Sequence, residues 1–349
     1  MQPYFSIVIP VFNGAERLAL TLDSACKQTF RDFEIIVIDD GSTDNTSKII
    51  ADYCEKDSQR IRSFYKENGG VSSARNAGIE KATGIFVTFL DSDDFLDENY
   101  LQMMYDILDG TEKVWACCIN KENGKIDGTK FTYGGEETLL RYILRGGACP
   151  QTACWTIRRE WLVESGIVFD ENINYTEDYN FFCKFLYYAE KGGGDGGYLK
   201  EALVDYILRY GSLCQRERLW LDFKHLKEDF ESTKGIYYYI ANSDGKEKSV
   251  YLNLLRRRLK KKYLYNLWGT LLLGNMDDFK SLRRMYIEDR RTYFLSKVKL
   301  SLKYYIWEWA TSPIICYLTL ILRPYKRFQK SKQRNTIDVI FNFYDKRNI

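Results

Sequence analysis

At 349 residues the chain is long enough for about two domains, and its 45% hydrophobic, 28% charged composition excludes a disordered protein. Its nine cysteines are odd in number, scattered and never spaced C-x-x-C, which excludes a disulfide framework or a cysteine zinc site and fits a reducing cytoplasm. The net charge of +3 hides an imbalance: residues 251–349 carry 22 Lys and Arg against 7 Asp and Glu, leaving 29 against 41 for residues 1–250, so the two parts face different partners.

Met1 to Tyr4 leads directly into an apolar run with no basic segment before it, unlike a secretory leader. From there two periods alternate. SIVIPVF (6–12), FEIIVID (33–39), IRSFY (61–65) and IFVTFL (85–90) are short and rich in Val, Ile and Phe, as strands covered on both faces are. Helical stretches at 15–28, 43–56 and 71–82 lie between them, the second opening on a Ser/Thr/Asp cluster and the third on Ser72 and Ser73. This βαβαβαβ rhythm predicts a mostly parallel sheet flanked by helices. Ligands of such sheets bind beyond the carboxyl ends of the strands. Asn13 and Gly14, Asp39 and Asp40, and the cluster Asp91-Ser92-Asp93-Asp94 all fall there.

The last of these, in FVTFLDSDDFLD (86–97), places three carboxylates within four positions. They repel one another unless a cation lies among them, and Mn²⁺ or Mg²⁺ prefers one or two carboxylates completed by phosphate oxygens and water. A D-x-D pair at a strand end therefore suits a metal that holds a diphosphate. The alternative is an acidic turn in which Asp93 or Asp94 caps the following helix. DDGSTDNT (39–46), taken singly, is likewise a turn in which Ser42 or Thr43 caps a helix.

In order and spacing, SIVIPVFNGAERL, DDGSTDNT, NGGVSSARNAGI (68–79) and FLDSDD resemble the family-2 glycosyltransferases of the GT-A fold, and the likeness extends to about residue 215. It implies transfer of a sugar from a nucleoside diphosphate to an acceptor hydroxyl with inversion. By that resemblance Pro10, Phe12 and Asn13, with Asp40, line the nucleotide base. Arg75 approaches the phosphates as a two-pronged donor. Asp91 binds the ribose or a metal-bound water, and Asp93 the metal. Asp178 in NYTEDYNFF is the general base, with Glu177 orienting the acceptor. In RGGACPQTACWTIRREWL (145–162), Gly146 and Gly147 permit close backbone approach and Trp155 offers a flat face to a sugar ring, with core packing as its alternative. Arg209 and Ser212 match a segment that closes over the diphosphate, although Tyr210 stands where a histidine is frequent, which puts that contact in doubt. The single histidine, His225, in LDFKHLKEDF, reads as a surface residue, and KGGGDGG (191–197) as a mobile surface turn.

The remainder reads as basic helices. Trp309 to Leu322 is 14 residues without a charge, short of the ~20 that span a bilayer. Flanked by aromatic and basic residues, it suits a helix lying in a membrane interface. The basic run Arg256–Arg258 and Lys260–Lys262 would add attraction to an anionic leaflet; a solvated or dimerising face is the alternative. The expected architecture is thus a GT-A α/β catalytic domain over 1–220 (1–100 nucleotide-binding, 101–220 sugar and acceptor) and a basic, membrane-associating helical region over 221–349. The expected activity is transfer from a UDP sugar to a glycan or polyprenyl-diphosphate-linked acceptor at the inner face of the cytoplasmic membrane, with no nucleic-acid partner and with room for a homo-oligomer. The rival is a catalytically silent nucleotide-sugar-binding scaffold subunit; a nucleotidyltransferase is disfavoured because NGAERLALT lacks a basic, glycine-rich signature.

Overall fold

The computed structural model describes residues 2–126, 133–207 and 223–272, with residues 281 and 284. The chain divides into a compact unit of Met1–Lys261 and a second of Lys262–Ile349. The expected boundary near residue 220 therefore falls inside the first unit.

In that unit β1 (Phe5–Val11), α1 (Leu18–Cys26), β2 (Phe33–Asp39), α2 (Thr46–Lys56), β3 (Ile61–Tyr65), α3 (Val71–Lys81) and β4 (Phe86–Phe89) follow the predicted alternation. Every residue of β1, β2 and β4 is buried, which is why these strands read as unbroken apolar runs. The chain continues through β5 (Phe95–Leu96), α4 (Tyr100–Leu108), β6 (Lys113–Glu122), β7 (Lys125–Ile126), α5 (Leu139–Arg145), β8 (Trp155–Arg158), α6 (Arg159–Ser165), α7 (Glu177–Lys191) and β9 (Asp195–Tyr206) to α8 (Phe223–Asn242) and α9 (Lys248–Leu272). The strands form one nine-stranded sheet ordered β3-β2-β1-β4-β8-β6-β9-β5, with β7 beside β6. The β3-β2-β1-β4 part is parallel, whereas β8 runs antiparallel to both of its neighbours. Pro10 is tolerated in a central strand because the pairing of β1 with β4 ends at Val8 and Phe89, before its missing N–H is needed.

Local caps differ from the expectations. α2 begins at Thr46, and Ser42 Oγ instead accepts from Asn13 N. After the acidic cluster the chain makes β5 before α4 starts at Tyr100, so neither Asp93 nor Asp94 caps that helix. The glycine run at 192–197 is a packed corner rather than a mobile turn: a Cβ on Gly196 would lie 1.9 Å from the Trp115 ring. His225 is buried, with its ring edge-on to Tyr175 at 5.3 Å.

The front half of α9 packs on the catalytic unit. Tyr251, Leu255 and Leu259 recur every four residues as a buried stripe. Arg256 donates to the Tyr237 hydroxyl, and Arg258 donates to Ile143 O at 2.7 Å while lying over the Tyr179 ring. Two of the three arginines expected to face a membrane are thus engaged by protein, and Arg257 is the exposed one. Among the described residues no helix is long and apolar enough to cross a membrane. The Trp309–Leu322 segment lies outside the described residues.

The tightest helix–sheet contact lies behind the candidate site, where α3 crosses β1. A Cβ built on Gly78 would fall 2.1 Å from Val8 Cγ1, so only a glycine lets α3 lie this close. Gly78→Ala is expected to destabilise by about 1–3 kcal/mol in denaturant unfolding, and Val8→Ala in the same chain to return part of that loss; additive losses in the double variant would contradict the contact.

Candidate functional site

Three strand-end loops are laced into one floor. Val11 O accepts from Asp40 N, Asn13 N donates to Ser42 Oγ, and Asn13 Oδ1 accepts from Thr43 N at 2.8 Å. Asn13 has φ +49°, a left-handed conformation that asparagine tolerates better than most residues. Gly14 N and Ala15 N donate to Thr46 and Asp44 in turn. Beside this clamp Phe12 is 52% exposed, which leaves its ring open to a planar ligand. Asp40, by contrast, is buried. Its Oδ1 takes Lys66 Nζ at 2.6 Å and Gly69 N at 3.0 Å, and its Oδ2 takes Gly70 N at 2.8 Å. The carboxylate expected to meet the base thus anchors the 66–70 loop in this structure.

Arg75 is the centre of the second part. Its side chain is 3% exposed, and it donates Nη2 to Asp91 Oδ1 at 2.7 Å and Nη1 to Glu177 Oε1 at 2.9 Å. The guanidinium also lies over the Phe169 ring at 5.2 Å, which itself stacks on Phe181 at 3.9 Å. Asn76 fixes that ring's backbone by accepting from Phe169 N and donating to Phe169 O. Desolvation works against the charge on Arg75, but Asp91 and Glu177 overcome it and hold the guanidinium protonated. Sequence placed Arg75 toward phosphates; here it joins the fourth strand's end to the head of α7.

Asp178, one residue into α7, has its carboxyl pushed up to about 7, first by desolvation and next by the adjacent Glu177, against the opposing pull of the Tyr179 N–H and Arg75. Asp91 adds to the rise. The structure therefore gathers Arg75, Asp91, Glu177 and Asp178 around one point, from positions up to 103 residues apart in the chain.

Other expected site residues lie elsewhere. Asp94 is buried and its Oδ1 accepts from Ile207 N at 3.0 Å, tying the acidic turn to the end of β9. Trp155 is fully buried, its ring stacked on Phe182 at 4.4 Å and its Nε1 donating to Pro150 O, so the core-packing alternative describes it. Gly146 ends α5 and a Cβ on Gly147 would strike the Tyr142 ring at 2.4 Å, which accounts for both glycines without a ligand. Arg209, Tyr210 and Ser212 lie outside the described residues. Lys66 and Thr176, with its left-handed φ of +66°, were not singled out from sequence; each matters through a contact or a turn that no short motif encodes.

The residues present fit a hard divalent cation. Asp91 keeps a side chain 32% exposed despite its ion pair, Asp93 is partly exposed on the same turn, and Asp91 and Glu177 share a single guanidinium. Among the described residues no three carboxylate, imidazole or thiolate side chains converge as a closed metal cage, so diphosphate oxygens and water would complete the shell.

Comparison with known proteins agrees with this geometry. The model of the glycosyl transferase family 2 matches residues 6–166. An uncharacterized glycosyltransferase of Rickettsia typhi is 34% identical over 199 residues, covering 53% of this chain and 59% of that protein. The uncharacterized glycosyltransferase EpsJ of Bacillus subtilis is 27% identical over 273 residues, covering 72% of this chain and 75% of that one. The chain thus spans about six-tenths of the Rickettsia relative. Among solved structures, S. aureus TarS 1–349 in complex with UDP-GlcNAc superposes with TM-score 0.64 at 23% identity, over 80% of this chain and 79% of that one. The Pyrobaculum calidifontis mannosyltransferase PcManGT, solved with GDP-Man and Mn²⁺, gives TM-score 0.56 at 14% identity, over 99% and 88%. Both share the fold. Residues 6–166 of this chain thus match the glycosyl transferase family 2 model, on a fold shared with these glycosyltransferase structures.

Proposed function

We propose that the protein is an inverting glycosyltransferase that moves a sugar from a nucleoside diphosphate, UDP first among them, to a hydroxyl of a glycan or polyprenyl-diphosphate-linked acceptor. The observation that carries this reading is the bridge from Asp91 through Arg75 to Glu177, with Asp178 beside it. It ties a donor-side strand end to the helix head that carries a candidate base, as a single displacement requires. The TarS complex with UDP-GlcNAc and the PcManGT complex with GDP-Man support a nucleotide-sugar donor.

In this reading Phe12 stacks on the base, and Pro10 and Asn13 shape its edge. Asp91 contacts the ribose while Asp93 holds Mn²⁺ or Mg²⁺. When bound, that ion supplies neutralising charge to the diphosphate leaving group. Arg209 and Ser212 are proposed to close over the same phosphates. Asp178 takes the proton from the attacking acceptor hydroxyl, on the face opposite the departing diphosphate. A base whose pKa lies near 7 is half-ionised at neutral pH, where it still binds a proton strongly enough to help. Glu177 stays paired with Arg75 and orients the acceptor. Attachment to the inner membrane face is proposed to rest on residues beyond the buried stripe of α9, since Arg256 and Arg258 are turned inward.

Three measurements test this. First, Asp178→Asn is expected to lower kcat by about 10²-fold or more with donor affinity nearly unchanged, whereas Asp93→Ala weakens both; donor binding lost equally in the two would break the division of roles. If the wild-type protein binds nucleotide sugars but releases no nucleoside diphosphate with any lipid-linked or glycan acceptor, the scaffold reading replaces this one. Second, kcat rises as pH increases through about 7, because the base must be ionised. Stability moves the other way. The folded carboxyl titrates above the unfolded value near 4, so the penalty of ionising it develops between about pH 4 and 7. Asp178→Asn should therefore unfold later than wild type at pH 8 but not at pH 4. Arg75→Gln should move the kcat midpoint upward, since Arg75 opposes the rise. Third, a chain lacking residues 273–349 keeps the α9 stripe and should leave the membrane fraction; retention there as full as that of the intact chain would clear the tail of an anchoring role.

A further inference from the structure

The turn that presents Glu177 and Asp178 is strained, and what holds it lies beyond the family match. Thr176 has φ +66° and ψ +23°, a left-handed conformation that a β-branched residue adopts only under outside constraint. Its own hydroxyl does not help: it makes no cap to α7 and is buried without a hydrogen-bond partner. The constraint comes from α8. Thr176 O accepts from Asn180 N and from Ser232 Oγ, each at 3.1 Å. Asn180 in turn donates Nδ2 to Ser232 O at 2.7 Å, and both Asn180 and Ser232 are fully buried. Two turns earlier in α8, His225 packs edge-on against Tyr175.

The direction of the serine bond is informative. A serine or threonine inside a helix ordinarily donates back to the carbonyl four residues earlier, as Thr233 does to Asp229 O. Ser232 donates outward to Thr176 O, while its own carbonyl receives Asn180. The pair of bonds is reciprocal and closes on one turn of the neighbouring helix, which packing of two helices by itself does not require.

We infer that Ser232 is a positioning residue that locks the Thr176 turn and so fixes where the carboxylate of Asp178 stands relative to the donor side of the site. This rests on the proposed role of Asp178 as base. Ser232 touches no substrate in this account; it acts through Thr176 and Asn180.

Hydrogen exchange on the full-length protein reads the lock without an activity assay. Ser232→Ala should speed exchange of the Asn180 amide, which donates to Thr176 O, by about tenfold or more, while β1 and β2 keep their protection. In transfer assays kcat should fall about tenfold with donor KM unchanged within about twofold, the split expected when only the reacting geometry is disturbed. Thr176→Gly accepts the left-handed turn without strain. In that background Ser232→Ala should therefore cost kcat at most about threefold. Unchanged exchange at Asn180, joint worsening of kcat and donor KM, or an undiminished kcat loss in the Thr176→Gly background would each overturn the inference. Should Ser232→Ala unfold the protein, seen as lost protection in β1 and β2, Ser232→Cys fills the space with a weaker donor and is judged by the same measurements. A wild-type protein that transfers no sugar would sink the base assignment alone, because exchange at Asn180 still decides the lock.

Discussion

The site depends on one buried cation. Arg75 comes from the first turns of α3, Asp91 from the end of β4 and Glu177 from the head of α7, and only the guanidinium makes their convergence tolerable. A planar fork with a separate donor for each carboxylate draws the two like charges onto one positive group. Removing the guanidinium would leave the largely buried Glu177 without its counter-charge. The same geometry explains Asp178. Among the described residues it has no ion pair of its own; it stands beside Glu177 and gains just a partial share of the Arg75 field, so desolvation wins and its carboxyl is pushed up to about 7.

Around this centre, several side chains of ligand-binding type serve the scaffold. Asp40 spends three hydrogen bonds on the loop of Lys66, Gly69 and Gly70, and Asp94 secures the end of β9. The effect is a floor whose loops are fixed to one another before any ligand arrives, with Phe12, Asn13, Asp91 and Asp93 the residues proposed to meet it. Rigid loops lower the ordering cost of binding a flexible nucleotide sugar. They also mean that substitution at Asp40 acts through loop geometry as well as through any contact with a base.

What could be read beforehand follows from the range of the forces involved. β1, β2 and β4 were placed within a residue or two because burial on both faces leaves an unbroken apolar run, a local signature. The gathering of polar residues at strand ends followed from parallel topology alone. Trp155 was not decidable, since a flat apolar ring suits a sugar face and a core equally, and Phe182, which takes its face, is 27 residues away. His225 looked exposed amid charged neighbours because a helix buries one stripe, and its partner Tyr175 precedes it by 50 residues. Arg256 and Arg258 misled for a related reason: a basic run on a helix points in several directions, and two of its three arginines found carbonyl, hydroxyl and aromatic partners inside the unit.

The family match ends at residue 166, before the proposed base, and this has a structural consequence. α7 carries Glu177 and Asp178 at its head and Glu190 near its tail, and both ends are held by later elements. At the head, Ser232 of α8 grips Thr176 and Asn180; at the tail, the Tyr251 hydroxyl of α9 donates to Glu190, whose carboxyl burial raises above its ordinary value. α7, 15 residues long, is therefore held at both ends by elements that carry none of the nucleotide-side motifs. The described part of α8 and of α9 up to Lys261 thereby belongs to the same compact unit as the proposed base.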